Sequence, residues 1–269
     1  MHPIDEVFAR LRSRGETAFI PFVPAGDPDL AGTALLVRGL AAVGASLIEI
    51  GFPFSDPIAD GPTIQAAYTR ALAKGLRVEQ LFETIHRLTH GPDAVAVPLV
   101  GMVSVSLIHR RQPDRFVREA SAAGLAGLIV PDLPADESQP LLELAGEAGL
   151  HLIQLVTPTT SAARAEQIAA CARGFVYCVS VAGITGTRGE LPPELPQRLA
   201  QLRAITALPL CVGFGVSTPQ QIRQLRSHCD GVIVGSALVR FLEMARPFAE
   251  QSRDLLAHAR DLAHECRVG

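Results

Sequence analysis

Short apolar runs and amphipathic segments alternate along this chain from end to end, and that alternation leaves few folds open. Eight runs rich in Val, Ile, Leu and Ala read as strands: residues 18–23, 47–51, 95–102, 127–130, 152–156, 175–179, 210–213 and 231–234. Between them lie Ala-, Leu- and Arg-rich segments with helical spacing: 29–43, 62–73, 78–89, 113–123, 138–148, 161–171, 195–205, 219–228 and 237–258. Parallel neighbours need a crossover connection, which a helix supplies, so this order is the pattern of βαβ units. Near-continuous apolar strands also require both faces of their sheet to be covered. Eight such units close on themselves, and the chain is expected to fold as one α/β domain over residues 1–269, a (β/α)8 TIM barrel. Residues 4–12 add an extra N-terminal helix able to cover the barrel floor. Ser161 ahead of an Ala/Arg run, and Thr218 ahead of Pro219, are helix start signals.

Composition excludes several functions. At 269 residues and 48% hydrophobic content the chain can bury a large core and remain one domain. A net charge of -3 with scattered Arg residues gives no basic footprint, so no nucleic acid partner is expected. The apolar runs fall far short of the roughly 20 residues that span a bilayer, and the polar start lacks a secretory core, so a cytoplasmic chain off the membrane is expected. Five Cys form no CxxC and read as reduced, small apolar residues.

In a barrel of this kind, chemistry gathers on the loops that follow the strands. Here those loops read PAGDPD, PFSDPIADGP, PDLP, TPTTS, SVAGITGTRG, GFGVSTP and GSALV. Three late ones, AGITG, GFG and GSA, combine glycine with hydrogen-bond donors. Any one of them can be a tight turn; together at one rim they point to an oxyanion, and a phosphate after strands seven and eight is the expected occupant. GxxxxGK[ST] is absent and GFGVST lacks the third glycine of a dinucleotide fingerprint, so nucleotide binding has no support.

Glu49 lies inside the apolar run SLIEIGF. Alternation turns Leu47, Glu49 and Gly51 to one face and Ile48, Ile50 and Phe52 to the other. Glu49 would then point into the closed interior, either as a proton-transferring acid with a raised pKa or as a buried partner of an Arg. Asp60 either faces it across a substrate-sized gap or caps the helix that begins near Pro62. Asp27 and Asp132 read as turn and cap residues. The single lysine, Lys74, sits at a helix end, which leaves a Schiff base without a nucleophile. The histidines show no HxH or HExxH spacing, so no metal is expected. Ser55 and Ser180 have no His/Asp partners at strand tips. Carboxylate acid/base chemistry on a phosphorylated substrate remains.

The block EIGFPFSDPIADGPTIQ, with PFVPAGDPD before it and GLIVPDLP, GFVYCVS, GITGTR, CVGFGVST and GVIVGSALV after it, resembles the tryptophan synthase alpha chain family over nearly the whole sequence. The resemblance implies a lyase of tryptophan biosynthesis that cleaves indole-3-glycerol phosphate, by retro-aldol chemistry, into indole and glyceraldehyde 3-phosphate. It implies no metal or cofactor in this chain, with PLP held by a beta-chain partner in an alpha2beta2 complex. Residue by residue, Glu49 matches the general acid/base, Asp60 the carboxylate at the ring nitrogen and Tyr177 the active-site tyrosine. Phe22, Ile129 and Phe214 match the walls around the indole. Gly186, Gly213, Gly215, Gly235 and Ser236 match the phosphate-binding positions, and Thr185 the loop that closes over Asp60.

After the third strand, where the family usually reads close to MYYNP, this chain has MVSVS, with Val103 for the tyrosine and Val105 for the asparagine. As exposed valines at a loop tip, these two would weaken the usual contact with a beta chain. That keeps open a stand-alone or specialised-metabolism lyase, or a catalytically weak barrel that mainly activates a partner.

Overall fold

Eight parallel strands pair in chain order, β1 (Ala18–Pro24), β2 (Ile48–Gly51), β3 (Leu99–Met102), β4 (Leu125–Ile129), β5 (His151–Val156), β6 (Val176–Val179), β7 (Leu210–Gly213) and β8 (Gly231–Val234), and β8 closes the barrel on β1. The structure is a computed structural model that describes residues 1–56, 60–180, 191–213 and 215–267. Twelve α-helices accompany the strands among the described residues: α1 (Pro3–Arg14), α2 (Leu30–Val43), α3 (Pro62–Ala73), α4 (Val78–His90), α5 (Val105–Arg110), α6 (Pro113–Ala122), α7 (Gln139–Glu147), α8 (Ala162–Cys171), α9 (Leu195–Ile205), α10 (Pro219–Leu225), α11 (Ser236–Val239) and α12 (Phe248–Arg267). None is long and apolar enough to cross a membrane.

The period-two alternation of the strands makes two apolar layers. Leu47, Val100, Ile129, Ile153, Cys211 and Ile233 fill the barrel interior. Ile48, Ile50, Leu128, Leu152 and Val212 face outward and pack beneath the helices. Phe52, just past β2, lies 5.6 Å from the Phe82 ring and 6.0 Å from Phe116, which fastens α4 and α6 against the end of the strand that carries Glu49. Helix α1 closes the floor: its buried Ile4, Val7, Phe8 and Leu11 join the interior layer. His2 caps it by accepting from the Ile4 amide at 3.3 Å.

Three segments differ from the sequence reading. Strand β3 begins at Leu99 and not at residue 95, since Pro98 has no N–H for a ladder and the Val95 amide bonds back to Leu88. The helix expected over 237–258 is broken: α11 is one turn, a 3-10 turn follows at Arg240–Glu243, and α12 starts just past Pro247. Proline removes a backbone donor and clashes with the preceding turn, so the helix cannot run through it.

The third difference corrects the view of Val103 and Val105. Val103 is not at an exposed loop tip. Its amide bonds to the Ile129 carbonyl at 2.9 Å, extending the β3–β4 ladder by one residue, and its side chain is 1% exposed in the outer apolar layer. Val105 opens α5 and is half-buried, with its amide held by Asp132 at 2.8 Å. The side chain of Val103 therefore presents no apolar surface to a partner, and the expectation of two exposed valines at a loop tip does not hold.

Candidate active site

Glu49 sits mid-strand in β2, in register with Phe22 on one side and Val100 on the other. Its neighbours on the interior face are apolar. The side chain is 1% exposed and neither carboxylate oxygen has a hydrogen-bond partner among the described residues. The alternative of a buried Glu–Arg pair is thereby set aside. An unpartnered buried carboxylate is costly to ionise. Burial, and secondly the charge of Asp60, push the Glu49 carboxyl up from 4.5 to about 8. Glu49 therefore holds its proton at neutral pH.

Asp60 lines the same cavity, at the barrel mouth. Gly61 and not Asp60 occupies the N-cap of α3, and among the described residues it is the Asp60 main-chain carbonyl that is used locally, accepting from Gln65 Nε2 at 2.8 Å. Burial, and then the nearby Asp132, raise its carboxyl from 3.8 to about 6. At pH 7 the site thus holds one protonated acid and one carboxylate. Different surroundings have split two chemically similar groups into a donor and an acceptor.

Tyr177 on β6 completes this wall, 4% exposed and within the electrostatic reach of both acids. It is held in place by what β7 lacks. A Cβ at Gly213 would lie 2.4 Å from the Tyr177 hydroxyl oxygen and 2.5 Å from a ring carbon. Gly213→Ala should therefore displace the ring and lower kcat/KM at least about tenfold, with a stability loss of about 1–3 kcal/mol from overpacking. Wild-type kinetics and an unchanged melting temperature in that variant would contradict this contact.

Phe22, Gly215, Gly235 and Ser236 line the cavity as expected, whereas Gly213 and Ile129 do not. Gly213 serves Tyr177, and Ile129 packs in the interior layer at 1% exposure. Thr185, Gly186 and Phe214 lie outside the described residues. Because α11 is a single turn, its dipole adds little; its first amides, which have no partner within the turn, and the Ser236 hydroxyl are donors that an oxyanion in the cavity could use. Asp27 is not a cap: it is buried and pairs with Arg70 at 2.6 Å, tying α3 to the rim of β1. Asp29 caps α2 in its stead, accepting from the Gly32 amide at 2.7 Å. Asp132 does hold a helix start, accepting from Ser104 Oγ at 2.6 Å as well as from the Val105 amide.

The site residues that the sequence does not mark are Ile64, Met102, Val216 and Ile233, which line the cavity, and Tyr68, which lines the adjoining one with Asp60 and Met102. Their apolar or amphipathic settings gave no sign that they face the mouth. At the opposite end of the barrel, His2, Asp5 and His151 converge closely enough to hold a metal. They are engaged with one another and with the backbone: His2 Nδ1 accepts from the Ile4 amide, His2 Nε2 bonds the Gly149 carbonyl at 3.2 Å and His151 Nε2 bonds the Asp5 carboxylate at 3.0 Å, so the cluster reads as a clasp for α1.

Comparison with known proteins agrees with this geometry. Residues 8–267 match the family described as tryptophan synthase alpha chain. The tryptophan synthase alpha chain of Carboxydothermus hydrogenoformans is 47% identical over 243 residues, covering 90% of this chain and 90% of that one. That of Gloeobacter violaceus is 48% identical over 245 residues, covering 91% and 88%. Among solved structures, Mycobacterium tuberculosis tryptophan synthase superposes with a TM-score of 0.89 at 34% identity, over 99% of this chain and 98% of that one. The alpha subunit from Legionella pneumophila gives 0.87 at 34% identity, over 98% and 99%. Sequence and fold are thus shared from one end of the barrel to the other, and the chain belongs to the tryptophan synthase alpha chain family.

Proposed function

We propose that Glu49, Asp60 and Tyr177 carry out the reaction of this family within a single barrel domain, residues 1–269. The family's reaction is the cleavage of indole-3-glycerol phosphate into indole and glyceraldehyde 3-phosphate, and this chain is a lyase of that kind. It needs no cofactor of its own; PLP belongs to the beta chain with which the family pairs. Free core cysteines and a biosynthetic family support a cytoplasmic setting.

One observation carries the reading: Glu49 is buried at the cavity with neither oxygen partnered among the described residues, and that burial pushes its carboxyl up to about 8. It can deliver its proton to C3 of the indole ring, where the positive charge that results spreads to the ring nitrogen. The Asp60 carboxylate accepts from that N–H and stabilises the charge. Glu49, now a carboxylate, takes the hydroxyl proton from the carbon attached to C3. The C–C bond breaks, its electrons restore the aromatic ring, and the aldehyde forms. Glu49 ends protonated, as it began. Tyr177 and Phe22 exclude water from this exchange, which strengthens each interaction with developing charge.

Gly235 and Ser236 are the described residues best placed for the phosphate. The nearest atoms to a Cβ at Gly235, among the described residues, would be those of Phe22 at 3.6 Å, an ordinary contact. Gly235→Asp should thus leave the fold intact while placing like charge at the phosphate, raising KM by at least about tenfold, equivalent to about 1.4 kcal/mol of binding. An unchanged KM would place the phosphate elsewhere. The function itself is tested by incubating the purified chain with indole-3-glycerol phosphate, with and without a tryptophan synthase beta chain. Indole should form in both, faster with the partner. A folded chain that releases none in either would overturn the proposal.

A further inference from the structure

The sequence holds only two tyrosines, and the fold brings both to the two carboxylates. Tyr177 belongs to the site already described. Tyr68 comes from α3, and its setting has no explanation in packing alone. The ring is 3% exposed and belongs to the interior layer with Ile64 and Ala67, not to the layer between barrel and helices. Its hydroxyl reaches the barrel mouth at Gly51, two residues past Glu49 on the same face of β2. A Cβ there would lie 2.3 Å from the Tyr68 hydroxyl oxygen and 2.4 Å from the Phe22 ring, so only glycine leaves room for both.

The surroundings of Asp60 explain what a hydroxyl could do there. Asp60 lines both cavities at the mouth, and no Lys or Arg lines either among the described residues. The groups that face it are acidic or phenolic: Glu49 from β2, Asp132 after β4, Asp56 from its own loop, Tyr177 from β6 and Tyr68 from α3. An ionised Asp60 without a cation needs hydrogen-bond donors. Ser104 and Ser106 share the adjoining cavity, but Ser104 is already committed to Asp132. Ser236 stands with the proposed phosphate donors. We propose that Tyr68 is a positioning residue for the reaction: its phenol, which shares the adjoining cavity with Asp60 but does not bond it in this structure, turns to the Asp60 carboxylate when that acid is ionised, donates to it and aims it at the ring nitrogen of the substrate. This rests on the role given to Asp60 above. Burial, with Asp60 and then Glu49 adding to it, holds the Tyr68 phenol well above its usual range, so it stays protonated and can only donate to a carboxylate.

The test is Tyr68→Phe, which keeps the ring and removes the donor. The Asp60 carboxylate is titrated by infrared difference spectroscopy against Asp60→Asn, in the parent chain and in the Tyr68→Phe variant, and kcat/KM is followed over the same pH range. Loss of one charge-assisted bond should raise the Asp60 midpoint by about one pH unit and lower kcat/KM about tenfold at pH 7. In an Asp60→Asn background the same substitution should change little, because its effect passes through Asp60. An unmoved Asp60 midpoint, or a full loss repeated in the Asn background, would overturn the inference. The titration needs no turnover, so failure of the lyase assay and failure of this contact remain separate results.

Discussion

Glu49→Gln will lower kcat by at least about 100-fold, the scale of lost general acid/base catalysis, while KM changes little. Gln fills the same space but can neither give a proton to C3 nor take one from the substrate hydroxyl. The same variant will be more stable than the parent above neutral pH. The folded-state pKa of Glu49 is raised from 4.5 to about 8, so between those values the folded chain holds a proton that the unfolded chain releases. The folded state is penalised progressively as pH rises through that window, and the penalty is complete above about 8. The gain in melting temperature from Gln should be small at pH 5 and largest near pH 9. Loss of activity with no alkaline gain would mean that Glu49 is not the unpartnered acid described above.

Asp60→Asn will lower kcat/KM by about 100- to 1000-fold, the range for losing one group that meets transition-state charge. An amide still accepts a hydrogen bond but supplies no negative charge to the ring nitrogen. In the unmodified chain, kcat/KM should follow a bell. Its acid limb lies near 6, where Asp60 must lose its proton, and its alkaline limb near 8, where Glu49 loses the proton it needs. The two acids act on one another, so these limbs belong to the pair. In Asp60→Asn the acid limb should vanish, and the alkaline limb should move down because a neighbouring negative charge is gone. Retention of an unshifted bell would remove Asp60 from the mechanism.

The barrel was legible because its strands follow a simple rule with few exceptions. Buried parallel strands are continuous apolar runs, and Glu49 interrupts one of them, which marked both the fold and the acid. The loops after the strands were readable for position: Gly235 and Ser236 follow β8 and line the cavity. What the sequence hid depends on long-range contacts. Helix α5 has a local start signal in Ser104, whose hydroxyl accepts from the Ser106 amide, but the hold of Asp132, far along the chain, on the Val105 amide has none. Val103 looked exposed because the run after β3 resembles a loop, yet a ladder bond to Ile129 buries it. Tyr68 lies in a plain amphipathic pattern, and only the closure of the barrel decides that its face of α3 enters the mouth. The break before α12 is different, because Pro247 is itself a local signal that ends a helix.

A protonated Glu49 at neutral pH is the claim on which the chemistry turns, and infrared difference spectroscopy reads it without substrate. The spectrum of the purified chain minus that of Glu49→Gln isolates one carboxyl group, whose carbonyl band is replaced by carboxylate bands as it ionises. The band should be present at pH 7 and disappear with a midpoint near 8. A carboxylate spectrum already at pH 6, with a midpoint near 4.5, the value of a solvated glutamate, would contradict the account.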